Sequence, residues 1–292
     1  MRKEQRDNFI QKITFLNHIK QNSVSFSNKQ LKIADYIIRH YDKTAFLTAA
    51  QLATKVDASE STVIRFATAL GYKGYPEFQG HLQKIIMEEL TSTERLKRSI
   101  HSETKDDIFS RTFLKEADNI RETYRNIPLD DFRKVVNIIL KAKKIFVSGF
   151  RTSACLVKYF VFQIGKIREN VIEITHGGKE SWDVIRRGTP EDLLIVVAFP
   201  RYPREIVELT DFALQLKMHV VGITDRMTSP IAVRCKPVLL VPFELVTFVD
   251  LYSAPFTLLA ALISEVAIQE ERETFANLEQ FEDFVKQSKI YY

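Results

Sequence analysis

Beyond about residue 130 the chain repeats one pattern five times: a short, almost wholly apolar run rich in β-branched residues, then a stretch with helical spacing. The runs are 144–148 (KIFVS), 171–175 (VIEIT), 193–199 (LLIVVAF), 219–224 (HVVGIT) and 237–242 (PVLLVP). A strand with one face in water alternates apolar and polar residues, whereas a strand covered on both faces does not. Runs this uniform, separated by helical stretches such as 154–167 and 205–216, predict an α/β domain with a doubly wound, five-stranded parallel sheet. Ligands of such sheets bind beyond the carboxyl ends of the strands. Here those ends lead into residues 149–153, 176–180, 200–205 and 225–230.

The first third is different, reading as helices only. Residues 27–30 (SNKQ) and 48–51 (TAAQ) are capping-box patterns, each followed by apolar residues at helical spacing. A tight connection at Asp57 and Ala58 leads to Ser59, which suits the cap of a third helix with Val63, Phe66, Ala67 and Leu70 on its apolar face. Gly71 is a natural stop, and Pro76 suits the first turn of a fourth helix. With 292 residues the chain exceeds the usual single domain. The expected division is a helical domain over 1–87, a linker and connecting helix over 88–127 that packs on the second domain or on a partner subunit, the α/β domain over 128–275, and a tail over 276–292. The stretch 249–268 reads as a long apolar helix near a subunit interface.

Charge separates the two halves. Residues 1–84 hold 13 Lys and Arg against 7 Asp and Glu, leaving 29 against 30 for the remainder. Neutralisation of phosphates by Lys and Arg supplies the sequence-independent part of DNA affinity, so a basic first third points to nucleic acid, although a solvated basic surface would look the same. No apolar run reaches the roughly 18–20 residues of a membrane span. Cys155 and Cys235 have neither CxxC nor metal spacing, which fits a reduced, cytoplasmic compartment.

A helix that reads DNA needs one face to dock and another to enter the major groove. On the third helix Ser61, Arg65 and Thr68 fall opposite the apolar stripe, with Ser59, Glu60 and Thr62 at its start and Lys73 just beyond its end. Arg65 suits a guanine edge or a phosphate, and Lys73 suits a phosphate. The same spacing fits an ordinary three-helix bundle with a polar outer face.

The stretch LATKVDASESTVIRFATALGYKGYPEF (residues 52–78) resembles the helix-turn-helix of the RpiR-type bacterial regulators through Leu52, Ala53, Ser59, Thr62, Val63, Arg65, Phe66, Leu70, Gly71, Gly74, Tyr75 and Phe78. The resemblance implies that the α/β half is a sugar isomerase (SIS) domain. It further implies binding of double-stranded operator DNA as a homodimer or homotetramer, tuned by a small anionic metabolite such as a sugar phosphate.

SIS domains hold phosphosugars in the loops after their first and third strands. The first loop here comprises Ser148, Gly149, Phe150, Arg151, Thr152 and Ser153, immediately before a helix whose N–H groups suit an anion. It is similar to the family's GxGxS loop with Arg151 in place of the second glycine; a plain strand-to-helix cap would look much alike. In the third loop, Pro200, Arg201, Tyr202, Pro203 and Arg204 replace the usual hydroxyls and glycine. Arginine forks suit carboxylate or phosphate, so the expected ligand is a small anion held in a different manner. Arg201 and Arg204 fit structural pairs with Glu205 or Glu180 nearly as well. The fourth loop, with Thr224, Asp225 and Ser229, is close to the family's ITD..SP pattern.

The competing class is an SIS-type phosphosugar isomerase, whose base would be His176 or Glu180 after the second strand. A further alternative is an inert pairing module. No P-loop, dinucleotide fingerprint, HExxH site or nucleophile elbow occurs, and an isomerase has no use for a DNA reader. The expectation is a regulator without cofactor, metal or membrane partner.

Overall fold

The computed structural model describes residues 26–45, 47–89, 91–100 and 107–290, together with Ile19 and Asn22. The chain divides into two units, Met1–His101 and Ser102–Tyr292. The first contains α1 (Asn28–Arg39), α2 (Tyr41–Thr44), α3 (Ala49–Lys55), α4 (Glu60–Ala69), α5 (Tyr75–Glu89) and α6 (Ser92–Ile100). Both capping boxes form. The Ser27 and Thr48 hydroxyls accept from the backbone N–H groups of Gln30 and Gln51, and the two glutamine side chains accept in return from the cap residues at 2.9 Å. Asp57, at φ +51, turns the chain between α3 and α4.

Gly71 ends α4 at φ +90, in the left-handed region that glycine enters without a steric penalty. Phe66 is fully buried at the centre of this unit, its ring 5.1 Å from that of Phe26 and 5.9 Å from that of Phe78. The Tyr75 hydroxyl and the Gln79 amide, both on α5, donate to the Leu47 carbonyl at 2.7 and 2.9 Å. They fix the segment that feeds α3.

The second unit runs α7 (Ile108–Asn126), α8 (Leu129–Lys141), β1 (Ile145–Ser148), a 3-10 turn (Arg151–Ser153), α9 (Ala154–Ile164), β2 (Val171–Ile174), α10 (Lys179–Ile185) and β3 (Leu193–Val197). It continues with α11 (Arg204–Gln215), β4 (His219–Thr224), β5 (Val238–Leu240), α12 (Ser253–Gln269) and α13 (Glu271–Gln287). The strands pair in the order β2-β1-β3-β4-β5, every pair parallel, with Ile145 opposite both Val171 and Leu193. The doubly wound arrangement shows in the packing. Ile145, Val147, Ile195, Val197, Val221 and Ile223 face a core shared with α8, α9 and α12, whereas Phe146, Leu194, Val196 and Val220 face one shared with α10 and α11. The central strands are apolar throughout because helices cover both sides.

Two expectations need correction and one is resolved. The helix expected over 249–268 begins at Ser253, and residues 242–252 form an irregular segment beside the strand ends. The helix Ile108–Asn126, expected to connect the domains and to pack on the second domain or a partner subunit, packs on α12 within the second unit. Residues expected as a tail continue α13 to Gln287, with Val285 buried. Among the described residues no helix is long and apolar enough to cross a membrane.

Candidate functional site

On α4 the side chains divide as the helical period requires. Val63, Phe66 and Ala67 are buried, and Glu60, Ser61, Arg65 and Thr68 are exposed on the opposite face. Ser59 caps the helix, its hydroxyl accepting from the Thr62 N–H at 3.3 Å. Thr62 departs from expectation: it is 7% exposed, and its hydroxyl pairs with that of Ser59 at 2.7 Å. The cap consumes it, so it holds the start of the helix rather than meeting a base edge. Arg65 lies along its own helix, Nε donating to the Ser61 carbonyl at 3.3 Å. A groove between α1 and α4 is lined by Ser27, Asn28, Lys29, Gln30, Thr62 and Arg65. It brings the basic side chains of Lys29 and Arg65 beside the N-terminus of α1, where N–H groups and the helix dipole favour an anion. Lys73 is exposed beyond α4, and its backbone N–H donates to the Glu77 carboxylate at 2.6 Å.

In the second unit the candidate ligand residues form two groups. Ser148, Thr224 and Ser229 are fully buried and engaged internally. Ser148 donates to the Ile174 carbonyl at 3.0 Å, Thr224 donates to Ser229 at 3.1 Å, and Ser229 accepts from the Ala232 N–H at 2.9 Å. Buried hydroxyls are satisfied by nearby backbone or by one another, and these three hold loop shape.

The remainder lie at the carboxyl ends of the strands. Gly149 sits where no side chain fits: a Cβ there would come within 2.8 Å of both Val157 Cγ2 and the Val197 carbonyl oxygen. That contact brings the first loop close to β3. Arg151, at φ +59, is exposed, and Thr152 and Ser153 complete the 3-10 turn before α9.

The third and fourth loops are joined by one network. The Tyr202 hydroxyl donates to Asp225 Oδ1, and Arg226 Nη1 pairs with Asp225 Oδ2 at 2.8 Å. The Arg226 guanidinium also lies 5.8 Å from the Tyr202 ring centre. Burial, reinforced by the Asp225 charge, holds the Tyr202 hydroxyl well above its usual range, so it remains a neutral donor. Burial lowers Arg226 to about 10, which still leaves it cationic at neutral pH. Asp225 therefore has both oxygens committed and braces the loops. Arg204 pairs with Glu208 on its own helix at 2.6 Å, not with Glu205 or Glu180. Arg201 is exposed at the loop tip. His176 is exposed and contacts the Thr175 hydroxyl at 3.2 Å, and Glu180 is exposed on the first turn of α10.

Sequence reasoning missed Asp250 and Tyr252. Thr152 donates to Asp250 Oδ2 at 2.7 Å and accepts from the Tyr252 hydroxyl at 3.0 Å. Phe199, Phe243 and Tyr252 pack their rings together, with Phe199 and Phe243 stacked at 4.9 Å. A hydroxyl beside an acid is too common a pairing to stand out across a separation of 98 residues.

Residues 13–89 match the profile described as a helix-turn-helix domain of the rpiR family, and residues 138–265 match the SIS domain. The chain is 26% identical over 213 residues to the uncharacterized HTH-type transcriptional regulator YfhH of Escherichia coli K12, covering 70% of this chain and 73% of that protein. Its fold is similar to the sugar isomerase domain of an RpiR transcription factor from Sphaerobacter thermophilus, with a TM-score of 0.59 at 21% identity, over 61% of this chain and 99% of that one. It is also similar to Vibrio vulnificus NanR complexed with ManNAc-6P, with a TM-score of 0.57 at 20% identity, over 93% of this chain and 98% of that one. With a helix-turn-helix domain of that family followed by an SIS domain, the chain belongs to the RpiR family of helix-turn-helix regulators.

Proposed function

We propose that this protein is a transcriptional regulator that binds operator DNA as a homodimer and is controlled by a small anionic metabolite in its SIS domain. The observation that carries the DNA half is the exposed row of Ser61, Arg65 and Thr68 on α4, opposite a buried face, in the part of the chain that holds the positive excess. Glu60 and Ser59 stand at the entry of that helix, and Lys73 and Lys29 flank it as phosphate contacts. Thr62 supports the cap. The relative YfhH, named as a transcriptional regulator, agrees with a regulatory rather than a catalytic role.

The ligand half rests on the first loop, where Arg151, Thr152 and Ser153 precede α9, with Arg201 from the third loop. Cations and hydroxyls at a helix start suit a sugar phosphate or a related acid. NanR, complexed with ManNAc-6P, is a fold neighbour that supports this class. The hydroxyl-rich third loop is replaced by the Tyr202–Asp225–Arg226 network, so selectivity differs from a phosphosugar site built on that loop.

Selection of bound fragments from a random DNA pool by the full chain tests the first half. Recovery of no enriched motif would refute it. Calorimetry across sugar phosphates and small carboxylates, with wild type and Arg201→Ala, tests the second. Tight phosphosugar binding unaffected by Arg201→Ala would remove that arginine from the site.

A further inference from the structure

Residues 242–252, between β5 and α12, lie across the carboxyl ends of β1 and β3 and are fastened at several points. Phe243 and Tyr252 pack on Phe199, next to the third loop. Glu244 accepts from Lys115 at 2.8 Å, and its carbonyl accepts from the Asn119 amide at 3.3 Å, both donors on α7. Immediately after the segment, Ser253 donates to Glu116, also on α7. Between these attachments Asp250 and Tyr252 reach the first loop. We propose that Asp250 is an internal competitor of the effector: its carboxylate holds the Thr152 hydroxyl and must release it before an anion can bind there.

A threonine hydroxyl has one hydrogen to give. In this arrangement Thr152 gives it to Asp250 at 2.7 Å, while its oxygen accepts from Tyr252 at 3.0 Å. It cannot donate to a phosphate or carboxylate oxygen at the same time. An anion reaching the start of α9 also meets the Asp250 charge, and like charges at such range oppose each other. Arg151 is exposed on the same turn and favours the anion, so on the first loop itself a cation is weighed against an internal carboxylate. Occupancy therefore frees the portion of the segment between its two anchors on α7, and α7 is the first helix after the join to the DNA-reading unit. Effector binding is thereby linked to the first helix that follows that join, without any further device.

The inference rests on the anion reading of the first loop, and the test separates the two. Inorganic phosphate and glucose 6-phosphate are titrated into the full-length protein by calorimetry, for wild type, Asp250→Asn and Asp250→Ala. Both variants should bind at least about fivefold more tightly than wild type, the lower end of ordinary coupling between sites. Binding by wild type with equal or weaker binding by both variants would overturn the competitor and leave the anion site standing. Binding by none of the three would overturn the anion site itself, and the competitor with it. Hydrogen exchange on wild type guards against a variant that fails to fold. Saturating phosphate should protect residues 150–155 and speed exchange in 242–252, whereas a segment that closes over its ligand would be protected in both.

Discussion

The Glu116 carboxylate, on α7, accepts from both the backbone N–H and the hydroxyl of Ser253, at 3.1 and 2.9 Å, and so caps α12 from a separate helix. Tyr252, the residue at the cap position, makes no side-chain capping bond. Loss of a helix cap costs about 1 kcal/mol. Glu116→Ala should therefore lower the melting temperature of the second unit by about 2–4 °C, and Glu116→Gln, which keeps an acceptor, by less. Calorimetry of the full chain checks both.

On DNA, Arg65 and Lys73 should behave differently. Under the proposed reading of Arg65 as a base-edge contact, Arg65→Ala should cost about 1–3 kcal/mol on the selected operator and far less on random duplex. Lys73→Ala should weaken both duplexes alike and reduce the salt slope by about 1. Fluorescence anisotropy over a salt series decides, and equal losses for Arg65→Ala on both duplexes would remove it from base reading.

Gly149→Ala places a methyl group 2.8 Å from Val157 Cγ2 and the Val197 carbonyl oxygen, of which only the first can give. Overpacking of this kind costs about 1–3 kcal/mol. Thermal unfolding should show that loss, and anion affinity should fall with it, because the first loop must move away from β3.

The two cysteines should react in order. Cys155 is exposed and Cys235 is buried, with its thiol pushed up to about 12 by burial. Burial also raises Cys155, so its thiolate fraction is small at neutral pH and grows as pH rises. A disulfide reagent should modify one thiol per folded chain, faster at pH 9 than at pH 7, and two after denaturation. Two equally fast thiols in the native protein would contradict the burial of Cys235.

Fold was legible where covering on both faces forces composition. The run 219–224 matches β4 end to end, and 193–199 overshoots β3 only because Ala198 and Phe199 stay buried beyond its last residue, Val197. Capping boxes at Ser27 and Thr48 were legible because three-residue spacing and backbone geometry leave few alternatives. Site residues were harder. Ser148, Thr224 and Ser229 are polar residues near strand ends, and sequence does not say whether such a hydroxyl turns to a ligand or to a neighbouring carbonyl. Thr62 sits at the border of the apolar stripe, and the Ser59 cap draws it inward. Asp250 was invisible because the apolar pattern of α12 appeared to start at 249, which hid the irregular segment before it.

The sheet order β2-β1-β3-β4-β5 has a consequence for how the molecule assembles during synthesis. Each parallel pairing joins strands that lie a whole crossover apart in sequence, and such non-local contacts form more slowly than those of short neighbouring helices. The helical unit precedes the sheet in the chain and leaves the ribosome first. A nascent chain therefore passes through an interval in which its helix-turn-helix unit is shaped and its SIS domain is not, and the length of that interval is set by the time β5 takes to arrive and close the edge.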